Sequence, residues 1–80
     1  MTPNGQIVWN VIGRDVSGRA FTANELSNMT TLSLADTKAG LLNLRRLGMV
    51  RKLTNPSKPT SNLYFKAVPF SEGFALRDRP

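Results

Sequence analysis

The spacing of apolar positions changes along this chain, and each change marks an element. Near the start, Ile7, Val8, Val11 and Ile12 recur at i, i+1, i+4 and i+5, with Trp9 beside them, which is the stripe of an amphipathic helix. Asn4 is a suitable N-cap, so the spacing predicts a first helix over residues 5–13. The same β-branched residues also suit a strand, and the helical reading rests mainly on the order of elements that follows. Gly13 and the polar run Arg14-Asp15-Val16-Ser17-Gly18-Arg19 predict a loop, and Ala20-Phe21 a very short strand.

Thr22 and Glu25 then form a T-x-x-E capping box, which starts a second helix at about Ala23. Phe21 before the cap and Leu26 after it are placed to pack as a hydrophobic staple. Ser27, Asn28 and the pair Thr30-Thr31 end this helix early. Ser33 and Asp36 make a second, S-x-x-D box, after which Leu34, Thr37, Leu41, Leu44 and Leu47 recur at spacings of three and four, so one side of a third helix faces inward. Arg45-Arg46 suits the negative pole of that helix, and Gly48 supplies a left-handed terminator. Gly40 lies on or beside the buried stripe and costs roughly 1 kcal/mol of helix propensity relative to alanine. Close approach of the first or the second helix is the expected reason for it.

Two strand-like runs follow, Met49 to Thr54 and Asn62 to Val68, with Val50, Leu53, Leu63, Phe65 and Ala67 available to a core. Between them, Asn55-Pro56-Ser57-Lys58-Pro59-Thr60-Ser61 cannot continue either strand, because two prolines remove amide donors and stiffen the backbone. An antiparallel hairpin with a polar tip is expected. The last residues carry Phe70, Phe74 and Leu76 at spacings compatible with a short amphipathic turn that covers a core edge, makes a subunit contact or frays. The expected division is one domain over residues 1–69 and a tail over 70–80.

Composition narrows what such a chain does. Eighty residues suffice for one domain with a small core, burying only a little over ~60% of the unfolded surface. Cysteine and histidine are both absent, which removes the usual ligands of a transition-metal site and the usual thiol nucleophile and imidazole base. No cofactor, metal or small-molecule ligand is expected, and an enzyme is disfavoured. Eleven Lys and Arg against five Asp and Glu give a net charge of +6 and a pI near 10.9, so the chain is expected to seek polyanions. No apolar run approaches the ~20 residues of a membrane span, and no leader pattern is visible at the start. A cytoplasmic protein that does not engage membranes is the expectation.

The leucine spacing of Leu41 and Leu44 closing in Leu47-Gly48-Met49-Val50, together with Phe21-Thr22-Ala23-Asn24-Glu25-Leu26, resembles the winged helix-turn-helix superfamily, in the style of the small MarR, ArsR and phage or plasmid regulators. The resemblance covers about two thirds of the chain. It implies an α+β winged helix-turn-helix fold, with three helices and a C-terminal two- or three-stranded antiparallel β-hairpin wing. It also implies a sequence-specific protein for double-stranded DNA, a repressor-like transcriptional regulator that binds as a homodimer. ArsR-type metal sensing lacks its Cys and His here, and eighty residues leave no room for MarR-type dimerisation helices.

In that superfamily the third helix enters the major groove and the wing reaches the backbone or the minor groove. Carried onto this chain, the DNA-binding candidates are Ser33, Lys38, Asn43, Arg46, Arg51 and Lys58. Ser33 and the free amides at the helix start suit a phosphate, Lys38 suits guanine or phosphate, and Asn43 suits adenine through its amide fork. Each has a plainer alternative. Lys38 can be a solubilising surface residue, Arg45 and Arg46 can serve the helix dipole, and Arg51, Lys52 and Lys66 can guard strand edges. Arg14 and Arg19 flank the loop ahead of the second helix, within reach of a backbone phosphate. Trp9, Tyr64 and Phe65 are expected in the core. Leu42, if exposed, favours the alternative function, a winged-helix module that docks onto another protein in a larger assembly.

Overall fold

The computed structural model describes residues 1–54, 57–58 and 62–71. Its elements run α1 (Pro3–Ile12), β1 (Phe21–Thr22), α2 (Ala23–Thr30), α3 (Leu34–Arg46), β2 (Val50–Leu53) and β3 (Leu63–Lys66). This is an α+β winged helix: three helices followed by a hairpin, with β1 completing a three-stranded antiparallel sheet in the order β1-β3-β2. Residues 55–56 and 59–61 of the hairpin loop, and with them most of the expected wing tip, lie outside the described residues, as do Phe74 and Leu76.

α1 begins earlier than its pattern suggests. The cap is Thr2, not Asn4: its extended backbone (ψ 160°) precedes Pro3 at the first helical turn, and its hydroxyl accepts from the Gly5 amide at 3.0 Å. Proline at that position loses no hydrogen bond, because the first-turn amides have no intrahelical acceptor. The helix ends at Ile12, with Gly13 as its cap. Its inward residues are Gly5, Val8, Trp9 and Ile12, while Ile7 is exposed and Val11 only partly covered. The expected stripe is therefore rotated, and Trp9 lies at its centre with no exposed surface.

The capping box of α2 forms as read. Thr22 Oγ1 accepts from the Glu25 amide at 3.1 Å, and Glu25 Oε1 accepts from the Thr22 amide at 3.1 Å. Phe21 and Leu26 are both buried in the core around it. The Thr22 amide is the main reason that the Glu25 carboxyl titrates below its ordinary value of 4.5; partial desolvation opposes this, and the Arg19 guanidinium adds to the lowering. A carboxyl depressed in the folded state contributes stability in full above the unfolded value and loses it as pH falls through the folded one. Glu25→Gln is accordingly expected to be less stable than the parent at pH 7, by a few tenths of a kcal/mol to about 1, the range for an exposed ion pair. Urea unfolding should show that gap closing toward pH 3; a gap that is constant with pH contradicts the assignment.

Helix α3 also begins where its box predicts, with Ser33 Oγ accepting from the Asp36 amide at 3.1 Å. It closes at Leu47, ahead of Gly48 with φ +79°. Thr37, Gly40, Leu41 and Leu44 are buried, whereas Leu34, expected inside, is exposed on the first turn. The neighbour at Gly40 is α1. A Cβ there would lie 2.7 Å from Asn4 O and 3.1 Å from Gly5 N, so two backbones meet at van der Waals distance.

The hairpin differs from its pattern in which residues face the core. Directly paired residues share a face in an antiparallel ladder, and here Phe21 pairs with Tyr64, Lys52 with Tyr64 across the other edge, and Val50 with Lys66. Phe21, Val50 and Tyr64 are buried, which places Leu53, Leu63 and Phe65 on the opposite face; Leu53 is 59% exposed, Leu63 and Phe65 are partly covered, and Ala67 is exposed. Lys66 falls on the core side at the sheet end, where its ammonium donates to Gly13 O at 3.0 Å and also to Asp15 O. It fastens the end of α1 instead of guarding an edge. Phe70 covers the remaining gap by stacking on Trp9, with ring centroids 5.9 Å apart.

Candidate nucleic-acid interface

What aims α3 is the short turn after α2. Thr31 adopts φ 62°, a left-handed conformation disfavoured for a β-branched side chain. Side-chain bonds around it hold this geometry. Ser27 Oγ donates to Leu32 O at 2.7 Å, Thr30 Oγ1 donates to Leu26 O at 2.6 Å, and the Leu32 amide donates to Thr30 Oγ1 at 3.3 Å. The hydroxyl residues that end α2 therefore also fix the angle at which α3 leaves the turn.

On α3 the buried stripe lies against α1 and α2, and the opposite side is exposed: Ala35, Lys38, Ala39, Leu42, Arg45 and Arg46. Lys38 and Arg46 thus project from the surface as expected, and Ser33 is exposed at the helix start. Ser33 already accepts a capping bond, which leaves its hydroxyl proton for an external acceptor. Arg51, on the outward face of β2, and Lys58, in the loop, are exposed as well. The structure therefore exposes five of the six residues selected from sequence.

Asn43 is the exception. Its Oδ1 accepts from the Thr2 amide at 2.9 Å and from the Thr2 hydroxyl at 3.3 Å, and it sits where a Cβ on Gly5 would be. Asn43 faces the first turn of α1, because the two glycines bring that helix close enough for an amide on the flank of α3 to reach across. Its expected outward direction is corrected accordingly. No local pattern distinguishes this use of an asparagine from a groove-facing one; the signal that existed was Thr2-Pro3 as an alternative helix start.

Two other cations that the sequence left within reach of a phosphate have partners inside the domain. The Arg19 guanidinium lies 4.3 Å above the Phe21 ring and pairs with Glu25, and that of Arg14 lies 5.1 Å from the Phe70 ring centroid. Among the described residues, α3 and the hairpin carry the exposed cations Lys38, Arg45, Arg46, Arg51 and Lys58. No cluster of acidic, His or Cys side chains able to hold a metal ion occurs among the described residues, nor is any helix there long and apolar enough to cross a membrane.

No family model matches this chain, and no curated protein matches it in sequence. In fold it is similar to the crystal structure of a MarR family transcription regulator, with a TM-score of 0.67 at 20% identity over 96% of this chain. The match takes in 50% of that regulator, so the chain spans half of its length. At this identity the likeness establishes the winged-helix architecture.

Proposed function

We propose, with the winged-helix fold as the premise, that this chain is a sequence-specific double-stranded DNA-binding protein, a small repressor-like transcriptional regulator of the cytoplasm acting as a homodimer. The observation that carries the reading is the side of α3 away from the core. It is exposed, it bears Lys38, Arg45 and Arg46, and the bonded turn before it fixes its direction. In this reading α3 enters the major groove. Lys38 and Arg46 meet phosphates or guanine edges, the Ser33 hydroxyl donates to a phosphate near the helix start, and Arg51 and Lys58 follow the backbone beside the wing. Asn43 has no part in it. The domain acts by binding and does no chemistry, in keeping with a chain that contains neither His nor Cys.

Titration of labelled random-sequence duplex by anisotropy tests this. Neutralising about six phosphates gives a slope of log K against log salt near roughly −5. Lys38→Ala and Arg46→Ala should each reduce its magnitude by about 1, with the fold unchanged by circular dichroism. Lack of affinity for any duplex at low salt would falsify the reading. The alternative, a winged-helix module docking onto another protein, draws on exposed Met29 and Leu53 and predicts partner capture that survives charge reversal at Lys38 and Lys58.

A further inference from the structure

The outward side of α3 is unusual in where its polarity sits. At about 100° per residue, the positions most directly opposite Thr37, Gly40, Leu41 and Leu44 are Ala35, Ala39, Leu42 and Arg46. The middle of the exposed side is therefore aliphatic, with Leu42 43% exposed at its centre. Lys38 and Arg45 lie along one flank, Arg46 at the C-terminal end, and the exposed Asp36 on the flank of Asn43. The helix's one amide side chain, which would supply a bidentate base contact, has its oxygen committed to Thr2 on the other flank. What this helix offers a groove floor is methyl and methylene surface, with positive charge along one flank and at its C-terminal end.

Building on the DNA-binding reading above, we propose that α3 recognises thymine-rich sequence through the C5-methyl groups of the major groove, with Leu42, Ala39 and Ala35 as the contacting side chains. The thymine methyl is the apolar group that a base edge displays in that groove, and aliphatic side chains are its complement. The cations on one flank of the aliphatic strip and at its C-terminal end are complementary to the phosphates that border the groove on that side, so charge selects a duplex and the strip selects among sequences. Specificity on this account is set by shape and methyl burial, with the cations of the helix placed on phosphates.

The test uses four labelled duplexes of equal length: alternating A·T, alternating A·U, alternating G·C, and G·C with 5-methylcytosine. Uracil differs from thymine only by the methyl, and 5-methylcytosine places one at the same groove position. The chain should bind A·T more tightly than A·U, and methylated G·C more tightly than unmethylated, by about fourfold for each methyl contacted, hence tenfold or more for two. The salt slope should be equal within each pair, because the phosphates are unchanged. Leu42→Ala, at an exposed position, should keep the fold and the slope while moving the thymine-to-uracil ratio toward one. Equal affinities within both pairs, with binding intact, overturn the inference alone, as does an undiminished ratio in Leu42→Ala. Failure to bind any of the four at low salt removes the DNA-binding reading beneath it as well.

Discussion

Trp9→Ala is expected to remove a large share of the stability of this domain. Trp9 has no exposed surface, belongs to the cluster with Val8, Ile12, Leu26, Leu44 and Met49, and carries the ring on which Phe70 stacks. Truncating a buried tryptophan costs about 3–5 kcal/mol in lost burial and cavity formation. At roughly 0.05–0.15 kcal/mol per residue, a chain of 80 residues has about 4–12 kcal/mol in all, so this is a large share of it. The variant should show a collapsed amide spectrum and a urea transition displaced toward zero denaturant. Trp9→Phe sharpens the test. The indole Nε1 is buried without a hydrogen-bond partner among the described residues, so phenylalanine removes a buried polar group while keeping a ring for Phe70. It should lose well under half of what alanine loses. An alanine variant as stable as the parent contradicts the central position given to Trp9.

Gly40→Ala sets two effects of opposite sign against each other. Helix propensity alone favours alanine by roughly 1 kcal/mol. The new methyl, however, would sit 2.7 Å from Asn4 O and 2.9 Å from Asn4 C, and backbone atoms cannot rotate out of the way as a side chain does. α1 must shift, which loosens the Thr2 bonds to Asn43 and the seating of Val8 and Trp9 on α3. Overpacking of this kind costs typically 1–3 kcal/mol, which leaves a net loss of up to about 2 kcal/mol once propensity is set against it. The melting temperature should fall, by about 4–8 °C for each kcal/mol of net loss in a domain of this size. A rise in melting temperature would mean that the two helices are not in backbone contact.

These expectations separate the local from the non-local parts of the fold. The helix-turn-helix was legible because its instructions lie within a few residues of where they act. Thr22 and Glu25 cap each other, Ser33 caps the next turn, and Gly48 ends α3 by adopting a conformation it tolerates. Gly40 was legible as a close approach, but its spacing could not say which helix approached. The hairpin was legible as a hairpin and misread in its facing, since Leu63, Phe65 and Ala67 make as good an apolar alternation as any. Only the pairing of Tyr64 with Phe21 on one side and Lys52 on the other decides which alternate face is inside. Of the interface candidates, Lys38 and Arg46 followed from helical periodicity. Asn43 failed because periodicity locates a residue on its own helix and is silent about a second helix reaching over it.

Taken alone, the order of amino acids determined the element types, two of the three helix starts, the end of α3 and a surplus of positive charge, all consequences of backbone capping, side-chain spacing and composition. Tertiary packing tied Lys66 to the end of α1 and seated the exposed Arg14 and Arg19 over aromatic rings. It also turned Asn43 toward Thr2, so that the exposed centre of α3 is aliphatic. The physical reason is distance along the chain: caps and stripes join residues three or four apart, whereas Thr2 meets Asn43 and Gly13 meets Lys66 only after the whole chain has closed around Trp9.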